Sequence, residues 1–323
     1  MVSFIILIIV GSIPQEIIVK NIAKKLHTPR PKIIAVVGPT ASGKSDLAVS
    51  IAKKYNGEVI SVDSRQVYRG LNIGSGKITK AEMKGVPHHL LDITNPKKVF
   101  TASDFVKAGR KALNEILKKG KVPVLAGGTG FYLSALLGEM SLAEVEPNPK
   151  LRAELEKFSN EKLLERLSIL DPERVNEIDR ANSPRIIRAI EIATTLGEIP
   201  KQHATPLYQT LKIGVRVTPE VLEERINSRL MSRFKKGMLA EAKELHKKGV
   251  TWKRMIALGL EYRYMALYLK GEITKEEMVE TLKVRIRQYA KRQRTWLKRD
   301  KDIQWFELSE IKKVEKAVEG FLG

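Results

Sequence analysis

The chain has 323 residues, 43% of them apolar, with 58 Lys and Arg against 37 Asp and Glu, a formal net charge of +21 and no cysteine. That length holds one large domain or two smaller ones, and the apolar fraction supplies a full core, which makes disorder a poor reading for most of the chain. The missing thiols exclude disulfides, thiolate metal sites and cysteine nucleophiles, and fit a reducing, cytoplasmic setting. The positive excess points to a polyanionic partner, nucleic acid first, against the alternative of a generally lysine-rich surface.

Residues 1–30 read as an extension without an assignable role. Their apolar run, Phe4 to Val10, falls far short of the roughly 20 residues of a membrane helix, and no Lys or Arg precedes it, so neither a membrane span nor a signal peptide is expected. Lys32–Val37 (KIIAVV) is a continuous apolar run and predicts a buried strand, followed by glycines and a helix over Asp46–Tyr55. Glu58–Val62 predicts the next strand, Ser103–Lys119 a helix and Val122–Ala126 another strand. Strands alternating with helices imply a parallel sheet covered on both faces.

Past Met140 the pattern changes. Residues 141–184 hold short amphipathic segments without strand signal and predict a small helical insertion, which leaves 31–140 and 185–323 to the α/β core. Asn182 and Pro184 suit the start of a helix running to about Leu196. Leu211–Val217 predicts one more strand, and Thr218 to about Thr295 reads helical, with Thr218–Pro219 opening one helix and Thr274 with Glu277 forming a capping box.

Gly38–Ser45 reads GPTASGKS and matches the phosphate-loop pattern G-x-x-x-x-G-K-[ST]. Its glycines let backbone N–H groups curl around an anion at a helix N-terminus, Lys44 can reach a terminal phosphate, and the Ser45 hydroxyl can hold Mg²⁺. A nucleotide hydrolase would add an Asp after a second apolar strand. Here Val122–Ala126 runs into Gly127-Gly128-Thr129, and the nearby acid is Asp63, after the other strand. The loop therefore says phosphate rather than ATP.

Ile60–Lys77 (ISVDSRQVYRGLNIGSGK), taken with GPTASGKS before it and AGGTGFYLSALL (Ala126–Leu137) after it, closely resembles the tRNA dimethylallyltransferase family. PHHLLDI (Pro87–Ile93), SDF (Ser103–Phe105), RIIRAIE (Arg185–Glu191) and AKRQRTWL (Ala290–Leu297) fit the same family, so the resemblance runs from about residue 32 to about residue 307. Two places depart from its pattern: Pro184 stands where Gln is usual, and Glu261 takes a usual glycine place. The resemblance implies a P-loop-type α/β fold and transfer of a dimethylallyl group from dimethylallyl diphosphate to N6 of the adenosine just 3′ of the anticodon, with Mg²⁺ as cofactor. The expected partners are that diphosphate and a tRNA anticodon stem-loop, bound by a monomer.

By residue, Gly38, Pro39, Thr40, Ala41, Ser42, Gly43, Lys44 and Ser45 are the expected diphosphate cradle, with Ser45 on the metal. The resemblance adds Arg229, whose fork suits phosphate oxygens; without it, a solvated helical arginine is the plainer reading. Asp63 is the expected acceptor of the N6 proton, its alternative a turn cap. Thr129 can approach the reacting centre, its alternative a helix cap. His88 and His89 read as structural, since adjacent residues point apart. The resemblance places tRNA contacts at Asp63, Ser64, Arg65, Gln66, Arg185, Arg188, Tyr262, Arg263, Arg287, Gln288, Lys291 and Arg292. The span Thr281–Lys301 has nine Lys or Arg against one acid, and Leu282, Ile286, Tyr289, Gln293 and Trp296 recur near helical spacing, so one face can dock while the other tracks phosphates. The competing readings are an isopentenyltransferase acting on free adenine nucleotides, another phosphate-loop kinase of small molecules, and a non-catalytic RNA-binding protein with a vestigial loop.

Overall fold

The computed structural model describes residues 29–200 and 205–323, so nearly all of the N-terminal extension, including the Phe4–Val10 run, lies outside the described residues. The strands are β1 (Lys32–Val37), β2 (Gly57–Val62), β3 (His88–His89), β4 (Val122–Gly127), β5 (Gln209–Val215) and β6 (Ile303–Phe306). They form one sheet in the order β3-β2-β4-β1-β5-β6, every neighbouring pair parallel. The expected α/β class is therefore what the chain builds. The two strands that sequence reading missed, β3 and β6, span two and four residues at the sheet edges, too short for a hydrophobic period to register.

Continuous apolar strands need cover on both sides. One face of β1 and its neighbours (Ile34, Val36, Val59, Val124) packs on α1 (Lys44–Lys54), and the C-terminal helix Ile311–Leu322 closes the same side through Val314 and Val318. The opposite face (Ile33, Ala35, Ile60, Val62, Leu125) is covered by α2 (Ala102–Lys118), α3 (Gly130–Leu137) and the later helices. Helix α2 starts where Thr101 and Asp104 make a reciprocal capping box.

Beyond α3 come the short helices α4 (Pro149–Leu155), α5 (Asn160–Leu170) and α6 (Pro172–Glu177), then α7 (Ser183–Leu196), which Asn182 caps with Pro184 in its first turn. Leu155, Leu163 and Leu167 pack with Ile186, Ile187 and Ile190 of α7 into a cluster of their own, so these helices hold together apart from the sheet. The stretch predicted as helical after Thr218 divides into α8 (Pro219–Lys235), α9 (Met238–Lys247), α10 (Trp252–Leu258), α11 (Leu260–Leu269) and α12 (Lys275–Leu297), with Thr218 capping α8 and the Thr274–Glu277 box opening α12. Among the described residues no helix is long and apolar enough to cross a membrane.

Candidate active site

The loop between β1 and α1 sits at the C-terminal end of the sheet, where ligands bind in open parallel α/β folds. Ala41 (φ 64°) and Gly43 (φ 92°) both take left-handed backbone there, which curls the chain ahead of the α1 N-terminus. A cavity of about 250 Å³ opens beside it, with Thr40, Lys44 and Ser45 on its wall. The same wall includes Asp63, Ser64, Arg65 and Gln66 from the turn after β2, Gly127 and Gly128 from the end of β4, and Arg229 from α8. Residues from opposite ends of the chain thus meet around one space.

Lys44 donates to the Pro39 carbonyl at 3.1 Å. Loss of water around its ammonium is the main force bringing its pKa down to about 8; Asp63 opposes the shift and Arg229 adds to it. An anion placed there would meet a lysine held near its titration point. Asp63 plays the turn-cap role that was its alternative, since Oδ1 accepts the N–H groups of Arg65 at 2.7 Å and Gln66 at 3.2 Å. The cap uses Oδ1, which leaves Oδ2 for a ligand. Thr129 stands at the N-cap position of α3 but makes no capping hydrogen bond. Its hydroxyl is buried against the Tyr289 side chain, just behind the Gly128 that forms the wall.

Helix α12 closes the cavity with Ile286, Tyr289 and Gln293. Its apolar face docks on the core as the spacing implied, yet three of the docking residues belong to the site. Gln293 is buried and accepts the Thr40 N–H at 2.8 Å. A Cβ on Gly128 would stand 2.2 Å from the Gln293 amide nitrogen, so the close approach requires glycine. Burial, with Asp63 nearby, pushes the Tyr289 phenol up to about 12, which keeps it a neutral hydrogen donor. Helix α8 adds two arginines missed in the sequence: Arg225, which donates to the Ser42 carbonyl at 3.5 Å, and Arg233, paired with Glu261 at 3.1 Å. Arg225, Arg229 and Arg233 recur every fourth residue, a one-face stripe that was legible in the sequence.

Glu261, the departure from the family pattern, lines the cavity, and burial pushes its carboxyl above the usual range although Arg233 pulls the other way. His89 pairs with the buried Glu58 at 2.7 Å. His88 donates from Nδ1 to the Val86 carbonyl at 2.8 Å and forms part of the cavity wall, its Nε2 buried without a partner.

The expected RNA contacts separate into groups. Ser64, Arg65 and Gln66 line the cavity, and the Arg65 Nε donates to the Leu258 carbonyl. Gln288, Lys291 and Arg292 are exposed along α12, while Arg287 is paired with Glu223. Arg263 is exposed beside α10, and Arg185 is exposed on α7. One expectation is corrected. Tyr262 is 1% exposed and spends its hydroxyl on Glu241 at 2.7 Å, so it presents no surface to RNA. Arg188 pairs with the buried Glu191 and donates to the Val145 carbonyl at 2.8 Å, with its side chain part-exposed.

Comparison with known proteins shows the family. The sequence pattern of the family described as IPP transferase matches residues 66–300. The chain is 40% identical to the tRNA dimethylallyltransferase of Halalkalibacterium halodurans over 291 residues, 87% of this chain and 92% of that one. It is 41% identical to tRNA dimethylallyltransferase 1 of Geotalea uraniireducens over 270 residues, 83% of this chain and 88% of that one. Among solved structures, it resembles the tRNA isopentenylpyrophosphate transferase of Bacillus halodurans with a TM-score of 0.70 at 37% identity, over 91% of this chain and 97% of that one. It also resembles a eukaryotic dimethylallyltransferase acting on tRNA, with a TM-score of 0.72 at 26% identity over 86% of this chain and 74% of that one. The chain belongs to the IPP transferase family.

Proposed function

We propose that the chain transfers a dimethylallyl group from dimethylallyl diphosphate to N6 of an adenosine in the anticodon loop of tRNA, releasing diphosphate. The observation that supports this most is the meeting of Lys44, Asp63 and Arg229 in one cavity beneath a basic helix. The phosphate-loop amides and Lys44 neutralise the leaving diphosphate, and the Arg229 fork adds to them. The C–O bond to diphosphate breaks as the C–N bond to N6 forms. Asp63 accepts the proton that N6 loses, through the carboxylate oxygen its turn leaves unused. The Thr129 hydroxyl, buried against Tyr289, is available to orient the incoming amine.

The donor chemistry suits Mg²⁺, a hard ion that one protein hydroxyl and phosphate oxygens can hold. Ser45 stands on the cavity wall, and among the described residues no group of three His, Cys, Asp or Glu is placed to bind an ion without the diphosphate. When bound, Mg²⁺ supplies further neutralisation of the leaving group. An adenosine stacked in the anticodon loop must be extruded to reach the cavity, which costs a few kcal/mol. Lys291, Arg292 and Gln288 on the exposed side of α12 are the groups that hold the RNA while this happens. The enzyme acts as a cytoplasmic monomer.

The test is incubation with labelled dimethylallyl diphosphate and either an anticodon stem-loop or AMP, followed by nucleoside analysis. Label on N6 of the stem-loop adenosine supports the reading. Label on AMP alone overturns it in favour of a free-nucleotide enzyme.

A further inference from the structure

The segment Asn72–Lys77 enters the cavity wall through Ser75 and Gly76, and one side chain from a distant helix holds it. Glu241, in the first turn of α9, accepts the N–H of Asn72 at 2.9 Å and of Ile73 at 2.7 Å on Oε2. Its Oε1 accepts the Gly74 N–H at 3.0 Å and the Tyr262 hydroxyl at 2.7 Å. Three consecutive backbone N–H groups converging on one point form a nest of the kind that binds anions. Here the chain's own carboxylate fills it. The Tyr262 hydroxyl stays protonated, because burial and then Glu241 push it well above the phenol range.

The segment so held bears on the site. A Cβ on Gly76 would lie 1.9 Å from an Arg233 guanidinium nitrogen, and one on Gly74 would lie 2.7 Å from the Tyr262 ring. The backbone of the segment is therefore pressed against Arg233 on one side and Tyr262 on the other. Arg233, one helical turn from Arg229, in turn pairs with Glu261 of α11, and both line the cavity. The Lys77 ammonium fixes the far end of the segment on the Tyr68 carbonyl at 2.8 Å and the Asn72 side chain at 3.0 Å.

We propose that Glu241 is a positioning residue for the transfer reaction: through the Asn72–Gly76 backbone it sets where Arg233, and with it the Arg229 end of the cavity, stands. This rests on the reading under Proposed function. Such a role has a chemical signature. Glutamine at this position keeps the size but replaces one acceptor oxygen with an NH₂ that cannot accept from backbone N–H, so two of the four bonds are lost. A displacement on the order of 1 Å at a reacting centre can cost up to about a hundredfold in rate.

The experiment measures single-turnover dimethylallyl transfer to an anticodon stem-loop for wild type, Glu241→Gln, Glu241→Asp and Tyr262→Phe, each well below its unfolding midpoint. The expected result is a rate about tenfold lower in Glu241→Gln, a smaller fall in Tyr262→Phe, which loses one bond, and partial recovery in Glu241→Asp, which keeps both acceptors. Faster hydrogen exchange at the Asn72, Ile73 and Gly74 amides accompanies the loss. A wild type that transfers nothing refutes the functional reading itself. An active wild type whose folded Glu241→Gln and Tyr262→Phe variants keep its rate overturns the proposal and leaves Glu241 as a stability element alone. Should Glu241→Gln not fold, Tyr262→Phe decides by the same comparison.

Discussion

The Thr40 amide in the phosphate loop donates to the side-chain oxygen of Gln293 at 2.8 Å, across 253 positions of sequence. Helix α12 therefore touches the phosphate loop from behind. Gln293→Ala removes that acceptor and the amide that fills the space over Gly128. A hydrogen bond of this kind contributes about 0.5–1.5 kcal/mol net. Affinity for dimethylallyl diphosphate should fall by about three- to tenfold, read by calorimetric titration; unchanged affinity would show that the loop holds its shape without α12.

Lys44 has its pKa lowered to about 8 in the ligand-free site. The diphosphate favours the ammonium form, so binding raises that pKa and takes up a proton. Affinity should therefore be strongest below pH 8 and weaken as pH rises through that value, by up to tenfold per unit. Lys44→Ala should bind more weakly overall and lose this dependence. A wild-type affinity flat from pH 7 to about pH 9 would contradict the assignment.

Asp63 both caps its turn and faces the cavity, and two variants separate the roles. Asn at this position retains the oxygen that accepts from Arg65 and Gln66 but cannot take a proton. Asp63→Asn should lower kcat by about 10²–10⁴-fold with little change in folding or diphosphate affinity. Near-normal single-turnover rates in Asp63→Asn would reduce Asp63 to a turn cap.

On α12 the basic side chains differ in what they are free to do. Lys291 and Arg292 are exposed, whereas Arg287 already faces Glu223. Lys291→Ala and Arg292→Ala should each flatten the log–log salt dependence of stem-loop binding by about 0.7–0.9 per lost phosphate contact. Arg287→Ala should change it less. Fluorescence anisotropy across a salt series measures all three, and equal slopes throughout would move the RNA surface off this helix.

Glu191 anchors the separate helical cluster. Burial alone would raise its carboxyl, but hydrogen bonds from Arg152, the Asn148 amide and Arg188 outweigh that and hold it at about 2. Its stabilising contribution is complete above the unfolded carboxylate value of 4.5 and is lost as pH falls toward 2. Glu191→Ala should destabilise these helices by about 3–5 kcal/mol, because two guanidinium groups lose their partner. The change should appear in hydrogen exchange of Ser183–Leu196 while the sheet amides keep their protection.

Local chemistry determined a good deal of this protein. KIIAVV reads as a strand buried on both faces, GPTASGKS as a phosphate loop at a helix start, and Thr274 with Glu277 marks where α12 begins. Those features depend on neighbours in sequence, and a local pattern suffices to read them. The tertiary structure alone decided which residues share the cavity. Gln293 and Tyr289 read as docking positions because helical spacing reports that a side chain is covered, not what covers it. Tyr262 looked available for RNA because sequence does not show that it is buried and gives its hydroxyl to Glu241. β3 and β6 form because a parallel sheet edge offers hydrogen-bonding partners to short segments with too few residues to show a period of their own. Partners set by neighbours in the chain are written in the sequence, while partners met across the fold exist only once the sheet and helices bring them together.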